Sequence, residues 1–143
     1  MMKIVRKEII KASPDAVFNA VTNFSGYEKW NPWVVKAQGE CKVGGSVVVD
    51  GWVGGKLQQY DHKILQVERP HLFHWCDVGW FTLFADGERI RTFEEHPEGT
   101  LYTVILNVIG PLAFIAQWIF GRSLEEGMTK ETHALKHFVE SQC

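Results

Sequence analysis

Residues 3–11, KIVRKEIIK, carry apolar and charged side chains on both alternating rows, the pattern of a strand with one face half in solvent. Ser13-Pro14-Asp15 then supplies an N-cap, a proline at the first helical position and an acid for the helix dipole. Ala16, Val17, Ala20 and Val21 follow at helical spacing. Asn23 to Trp30 contains Gly26 and stops at Asn31-Pro32, which predicts a second, brief helix, because proline disfavours helical geometry in the residue before it. From Val34 onward the punctuation becomes turn signals: Val43-Gly44-Gly45, Gly54-Gly55, Arg69-Pro70, Asp86-Gly87 and Pro97-Glu98-Gly99. They separate strand-length runs at 34–41, 46–53, 56–68, 71–78, 87–95 and 100–109. From Pro111 to about Glu140, Leu112, Ile115, Ile119, Leu124, Met128, Leu135 and Val139 recur near helical spacing and predict one long helix. Gly121 and Gly127 weaken its middle by about 1 kcal/mol each relative to alanine, enough for a kink or a short break.

The predicted order is a strand, two short helices, six strands and a long helix. It makes an α+β domain spanning 1–143, in which only the terminal helix can cover the apolar face of a seven-stranded antiparallel sheet. No linker, low-complexity tract or internal repeat divides it. Gly99 to Gly121 lacks any charge and approaches the length of a membrane span. The β-branched run up to Ile109 and the Gly110-Pro111 pair instead predict a strand, a turn and a helix start. With a net charge of −2 and both signs interspersed, no basic stripe tracks phosphates, which excludes nucleic acid as the expected partner. Cys41, Cys76 and Cys143 form no CxxC pair and no even disulfide framework. Lys3, Arg6, Lys7 and Glu8 interrupt any apolar signal core, so a reducing cytoplasm is the expected location. Nine Phe and six Trp are a rich supply of rings for a core or for the lining of an apolar pocket.

Several short motifs recur in one order: Ala12-Ser13-Pro14-Asp15-Ala16-Val17-Phe18, Tyr27 to Pro32 with Trp30-Asn31-Pro32, Val43-Gly44-Gly45, Val67-Glu68-Arg69-Pro70 leading to Trp75, Asp86-Gly87-Glu88, Gly99-Thr100, and Leu135-Lys136 to Glu140. Through them nearly the whole chain resembles the START-like or SRPBCC superfamily, which includes birch-pollen-allergen relatives and polyketide cyclase/dehydrase-like proteins. The resemblance implies a helix-grip fold, a curved sheet around the C-terminal helix, and an internal cavity for lipids, hormones, polyketides or quinones. It carries over no shared catalytic residue.

Strand alternation in that fold points Phe73 and Trp75 inward, and Arg89, Arg91 and Phe93 after them. Inward arginines require either a carboxylate such as Asp77 or Glu95 or an acidic ligand head group; a register slip would leave both in solvent, and the two readings stay open. Tyr102, Val104 and Leu106 on the last strand, and Trp118, Ile119, Arg122 and Met128 on the long helix, complete the expected ligand-binding set, with plain core packing as the alternative. Trp30 is expected to anchor the short helices as a structural plug. His133 and His137 are four apart but lack HExxH framing and a third ligand, so a solvated face is expected, with no metal or other cofactor. His62, His71, His74 and His96 show no companion that completes a catalytic triad, and no phosphate loop or dinucleotide fingerprint is present. The leading expectation is a binding protein for a small hydrophobic molecule. The alternatives are a polyketide cyclase/dehydrase-type enzyme using Arg89, Arg91, Tyr102 or Glu88, and a protein- or membrane-surface interaction domain around Phe114 and Phe120.

Overall fold

A computed structural model describes residues 1–142. Strand β1 (Met2–Ile10) leads into helix α1 (Pro14–Thr22), whose N-cap Ser13 accepts a hydrogen bond from Ala16 N at 3.2 Å. The second short helix is a 3-10 segment, Phe24–Lys29. Strands β2 (Val34–Gly39), β3 (Ser46–Val53), β4 (Lys56–Glu68), β5 (Leu72–Val78), β6 (Asp86–His96) and β7 (Gly99–Ile109) follow, then helix α2 (Ala113–Ser141). A further 3-10 turn, Trp80–Leu83, lies between β5 and β6, where the sequence pattern carried no helical signal. The sheet order is β1-β7-β6-β5-β4-β3-β2 with every pair antiparallel, so the meander closes by bringing the first strand beside the last.

The turn glycines explain why the strand limits follow the punctuation so closely: Gly44, Gly54, Gly55 and Gly99 all adopt positive φ, which a side chain would strain. The charge-free stretch resolves into the whole of β7, a turn and the start of α2. Among the described residues no helix is long and apolar enough to cross a membrane. Helix α2 runs unbroken through Gly121 and Gly127. Gly127 has a packing reason: a Cβ there would collide with the indole of Trp33, which is itself tethered by a 2.9 Å hydrogen bond from its Nε1 to Trp52 O.

Inward-facing rows cross the sheet in register. Ile64 on β4 pairs with Trp75 on β5, Trp75 with Arg89 on β6, Arg89 with Leu106 on β7, and Leu106 with Ile4 on β1. One end of the concave space is packed solid by α1 and the first 3-10 segment: Phe18 meets Phe93 edge-on at 5.2 Å, and Phe24 lies 6.0 Å from Phe73. Trp30 stacks on Phe138 of α2 at 6.0 Å and meets Tyr27 at 5.3 Å, which fastens the 3-10 segment to the terminal helix.

Candidate functional site

The other end of the concave space is hollow. A cavity of about 430 Å³, partly open to solvent, lies between the sheet and the first half of α2. Its apolar wall comes from Met2, Val49, Leu106 and Val108 on the sheet and from Ala116, Phe120 and Leu124 on α2. Its polar wall is a stripe across three neighbouring strands: Gln58, Tyr60 and His62 on β4, Asp77 on β5 and Arg89 on β6. Period-two alternation produces the stripe, since 58, 60 and 62 point to one face and the His62↔Asp77 pairing carries that face to β5.

The floor of the cavity is a buried charged layer. Arg89 is 6% exposed, Arg91 1% and Glu131 4%. Glu131 Oε1 lies 3.3 Å from Arg89 Nη1 and 3.6 Å from Arg91 Nη2. Its other oxygen accepts from Asn31 Nδ2 at 2.9 Å, while Asn31 Oδ1 accepts from the backbone N–H groups of Trp33 and Val34. The guanidinium groups also stack on rings, Arg89 4.5 Å from Trp33 and Arg91 4.7 Å from Trp75. Burial, followed by the repulsion of Arg91, pulls the Arg89 pKa down. The Tyr102 hydroxyl, buried beside Arg91, is pushed up to about 12, chiefly by desolvation. Arginines at 89 and 91 therefore point inward, but their carboxylate is Glu131 from α2, and neither Asp77 nor Glu95 serves. Asp77 is engaged with His62, Oδ1 to Nε2 at 3.1 Å, and Glu95 is exposed.

The expected site residues divide sharply around that floor. Trp75, Arg89 and Leu106 line the cavity. Arg91 belongs to the floor itself without lining the cavity, and Phe73, Phe93, Tyr102, Val104 and Met128 face inward but lie in the solid half below it, where Tyr102 has no opening to a guest. Trp118, Ile119 and Arg122 require correction. All three are exposed, Trp118 at 86%, because the buried row of α2 runs through Ala113, Met128, Glu131, Leu135 and Val139, with Leu124 partly buried on the same row. At about 100° per residue, 118 and 122 fall roughly 160° from the cavity-lining Phe120. His133 lies on the outer face of α2, 3.8 Å from Glu8, and among the described residues no cluster of three His, Cys, Asp or Glu side chains is placed to hold a metal ion.

Four residues escaped the sequence reading of the site: Glu131, Asn31, Trp33 and His62, the last paired with Asp77, which was expected only as a mate for the arginines. Glu131 had a signal, since it fills the vacant position between Met128 and Leu135 on an otherwise apolar helical row. His62 had almost none, because both rows of β4 are polar over 58–63.

Comparisons place this geometry among known folds. The structure is similar to that of protein MLL2253 from Mesorhizobium loti at 15% identity, with a TM-score of 0.79 and 99% of each chain covered. It resembles Ara h 8.0201 at 15% identity, with a TM-score of 0.73 and 98% of each chain covered. It also resembles the di-domain ARO/CYC BexL from the BE-7585A biosynthetic pathway at 15% identity and a TM-score of 0.75; the match covers 98% of this chain and 49% of that one. No curated protein matches the sequence significantly. Residues 1–137 match the family described as polyketide cyclase / dehydrase and lipid transport. With the helix-grip architecture in place and that match running over nearly its whole length, the chain belongs to this family of the SRPBCC superfamily.

Proposed function

We propose that the protein binds a small, largely apolar molecule in the cytoplasm, with its apolar body against Leu106, Val108 and Leu124 and a polar, acidic end directed at Arg89. The observation that carries this reading is the charged floor beneath an otherwise apolar hollow. Arg89 lines the cavity, and among the described residues its one hydrogen bond is the 3.3 Å contact with Glu131. A desolvated guanidinium with donors to spare is a strong anchor for an acceptor group on a guest. The 430 Å³ volume lies in the range of pockets for small molecules.

Titration with the fluorescent anion 1-anilinonaphthalene-8-sulfonate tests the reading. Wild type is expected to bind one equivalent, and Ala116→Trp, which fills the cavity from α2, should weaken binding at least tenfold. Equal binding by both proteins would place the dye elsewhere and remove the support.

A second reading, docking to a membrane or protein surface, draws on the exposed apolar side chains of two segments near the cavity mouth. Trp80 (77%) and Leu83 belong to the second 3-10 turn, Phe114 and Trp118 to the start of α2, and Leu112 N donates to Phe84 O at 2.9 Å to join the segments. Co-sedimentation with phosphatidylcholine vesicles that is lost in Trp80→Ser/Trp118→Ser would support it. A cyclase or dehydrase activity would draw its acid–base pair from His62 and Asp77.

A further inference from the structure

One polar group on the cavity wall is accessible and only half used. Asp77 lines the cavity and keeps 33% of its side chain exposed. Its Oδ1 is taken by His62 Nε2 at 3.1 Å; a carboxylate only accepts, so that nitrogen carries the proton, and burial keeps the imidazole neutral by lowering its pKa. A neutral imidazole cancels none of a carboxylate's charge, and among the described residues Oδ2 has no hydrogen-bond partner.

Gly87 fixes where Oδ2 stands. Residues 87, 89 and 91 form the inward row of β6, and a Cβ at 87 would collide with Asp77 Oδ2. The oxygen thus occupies, on the concave side, the place that a side chain at 87 would fill, and Gly87 itself lines the cavity. Arg89 is the next residue along that inward row, so its Cβ lies one two-residue strand repeat, about 6.6–6.8 Å, from that place.

A free acceptor at one point of the wall and guanidinium donors one repeat away are complementary to a guest whose acidic end is followed closely by a donor. An ether or ketone beside Asp77 would set its lone pairs against the carboxylate, and a plain hydrocarbon chain would leave Oδ2 without a partner once the guest displaces water. An ammonium would add a third cation to a compartment whose floor already holds two guanidiniums against one carboxylate, whereas a hydroxyl donates without adding charge. We infer that the guest is a hydroxy acid with an apolar tail, its carboxylate at Arg89 and its hydroxyl, a few bonds away, donating to Asp77 Oδ2. This rests on the cavity-binding reading and adds the second polar group that the cavity selects.

The test compares 3-hydroxydecanoic acid, each enantiomer separately, with decanoic acid, which has the same head and tail but no hydroxyl, and with the 3-methoxy ether, which has no proton to donate. Affinities are read by competition with 1-anilinonaphthalene-8-sulfonate. In wild type the better hydroxy enantiomer is expected to bind at least fivefold more tightly than decanoic acid, and the methoxy compound no more tightly than decanoic acid. Asp77→Ala removes the acceptor; the hydroxyl preference should fall below twofold while decanoic acid binds within threefold of wild type. Should Asp77→Ala not fold, the methoxy comparison in wild type decides alone. Equal wild-type binding of the hydroxy acid and decanoic acid, a methoxy compound that keeps the preference, or a preference that survives Asp77→Ala overturns the inference and leaves cavity binding standing. Tighter binding of 3-aminodecanoic acid than of the hydroxy acid would overturn the hydroxyl in the same way. Failure of every acid to displace the dye overturns cavity binding and the inference with it.

Discussion

Replacing Glu131 by glutamine removes one negative charge from a layer that holds two positive ones, and the structure sets the size of the effect. At an effective dielectric of about 20, separations of 3.3 and 3.6 Å correspond to an attraction of about 5 kcal/mol to each arginine. Most of that offsets the desolvation of three groups that are each under a tenth exposed. Removing one partner leaves the desolvation in place and the attraction gone, so the expected loss is about 3–5 kcal/mol. Glutamine keeps the shape but accepts on one side only: with its oxygen toward Arg89, its amide N–H faces the Asn31 Nδ2 donor, so that hydrogen bond is lost together with the charge. Urea denaturation followed by tryptophan fluorescence gives the number, since Trp33 and Trp75 sit against the two guanidiniums and report on the layer directly. The triple replacement Glu131→Met/Arg89→Met/Arg91→Leu should recover most of the loss, because an all-apolar layer has no charge to strand. A Glu131→Gln protein within 1 kcal/mol of wild type would refute the reasoning, for it would mean that something other than this carboxylate balances the arginines.

Gly127→Ala should destabilise by about 1–3 kcal/mol in thermal unfolding, since the clash with the tethered Trp33 outweighs the gain of about 1 kcal/mol in helix propensity. Gly121→Ala should instead stabilise by about 0.5–1 kcal/mol, because its Cβ meets nothing nearer than 3.5 Å; the same sign at both glycines would sink the packing argument. His62 has a lowered pKa in the folded state, so the unfolded chain takes up its proton first, and stability should decline as pH falls below about 6.5, by at most about 1.4 kcal/mol per pH unit. His62→Phe should flatten that slope in pH-dependent urea curves, and an unchanged slope would assign it to other groups. Arg89→Met and Arg91→Met each leave one arginine paired with Glu131, so both should retain stability to within about 1–2 kcal/mol. Only Arg89→Met should weaken anilinonaphthalene sulfonate binding tenfold or more, because Arg91 does not line the cavity, and equal losses would contradict that division.

The sheet was legible because its limits are set by local chemistry. Glycines at positive φ and proline turns end strands whatever the tertiary context, so runs such as 46–53 and 56–68 reappear residue for residue. Alternation carried the inward direction of Arg89 and Arg91 across β6 for the same reason. The first half of α2 was illegible because Ala113, Phe114, Ile115, Ala116, Trp118, Ile119 and Phe120 are apolar all around the helix, and a stripe without an opposite polar face has no preferred direction. Trp33 beside Pro32 carried no mark of its role either, since the glycine that receives its ring lies on another element and far along the chain.

The division between a filled half and a hollow half has a physical origin in the charged floor. Below it, Phe18, Phe73, Phe93, Tyr102 and Met128 occupy the concave space completely. Above it, Gly51, Ala85, Gly87 and Ala116 present almost no side chain to the lining. Filling the upper half with one more aromatic ring would seal Arg89 against hydrocarbon with guanidinium donors left unpaired, at a penalty of about 1–3 kcal/mol for each such group. An open space that admits polar atoms lifts that penalty. On this argument the cavity and the polar stripe are mutually dependent: apolar packing alone would have closed the hollow, and the groups that resist closure are the same ones that can grip the polar end of a guest.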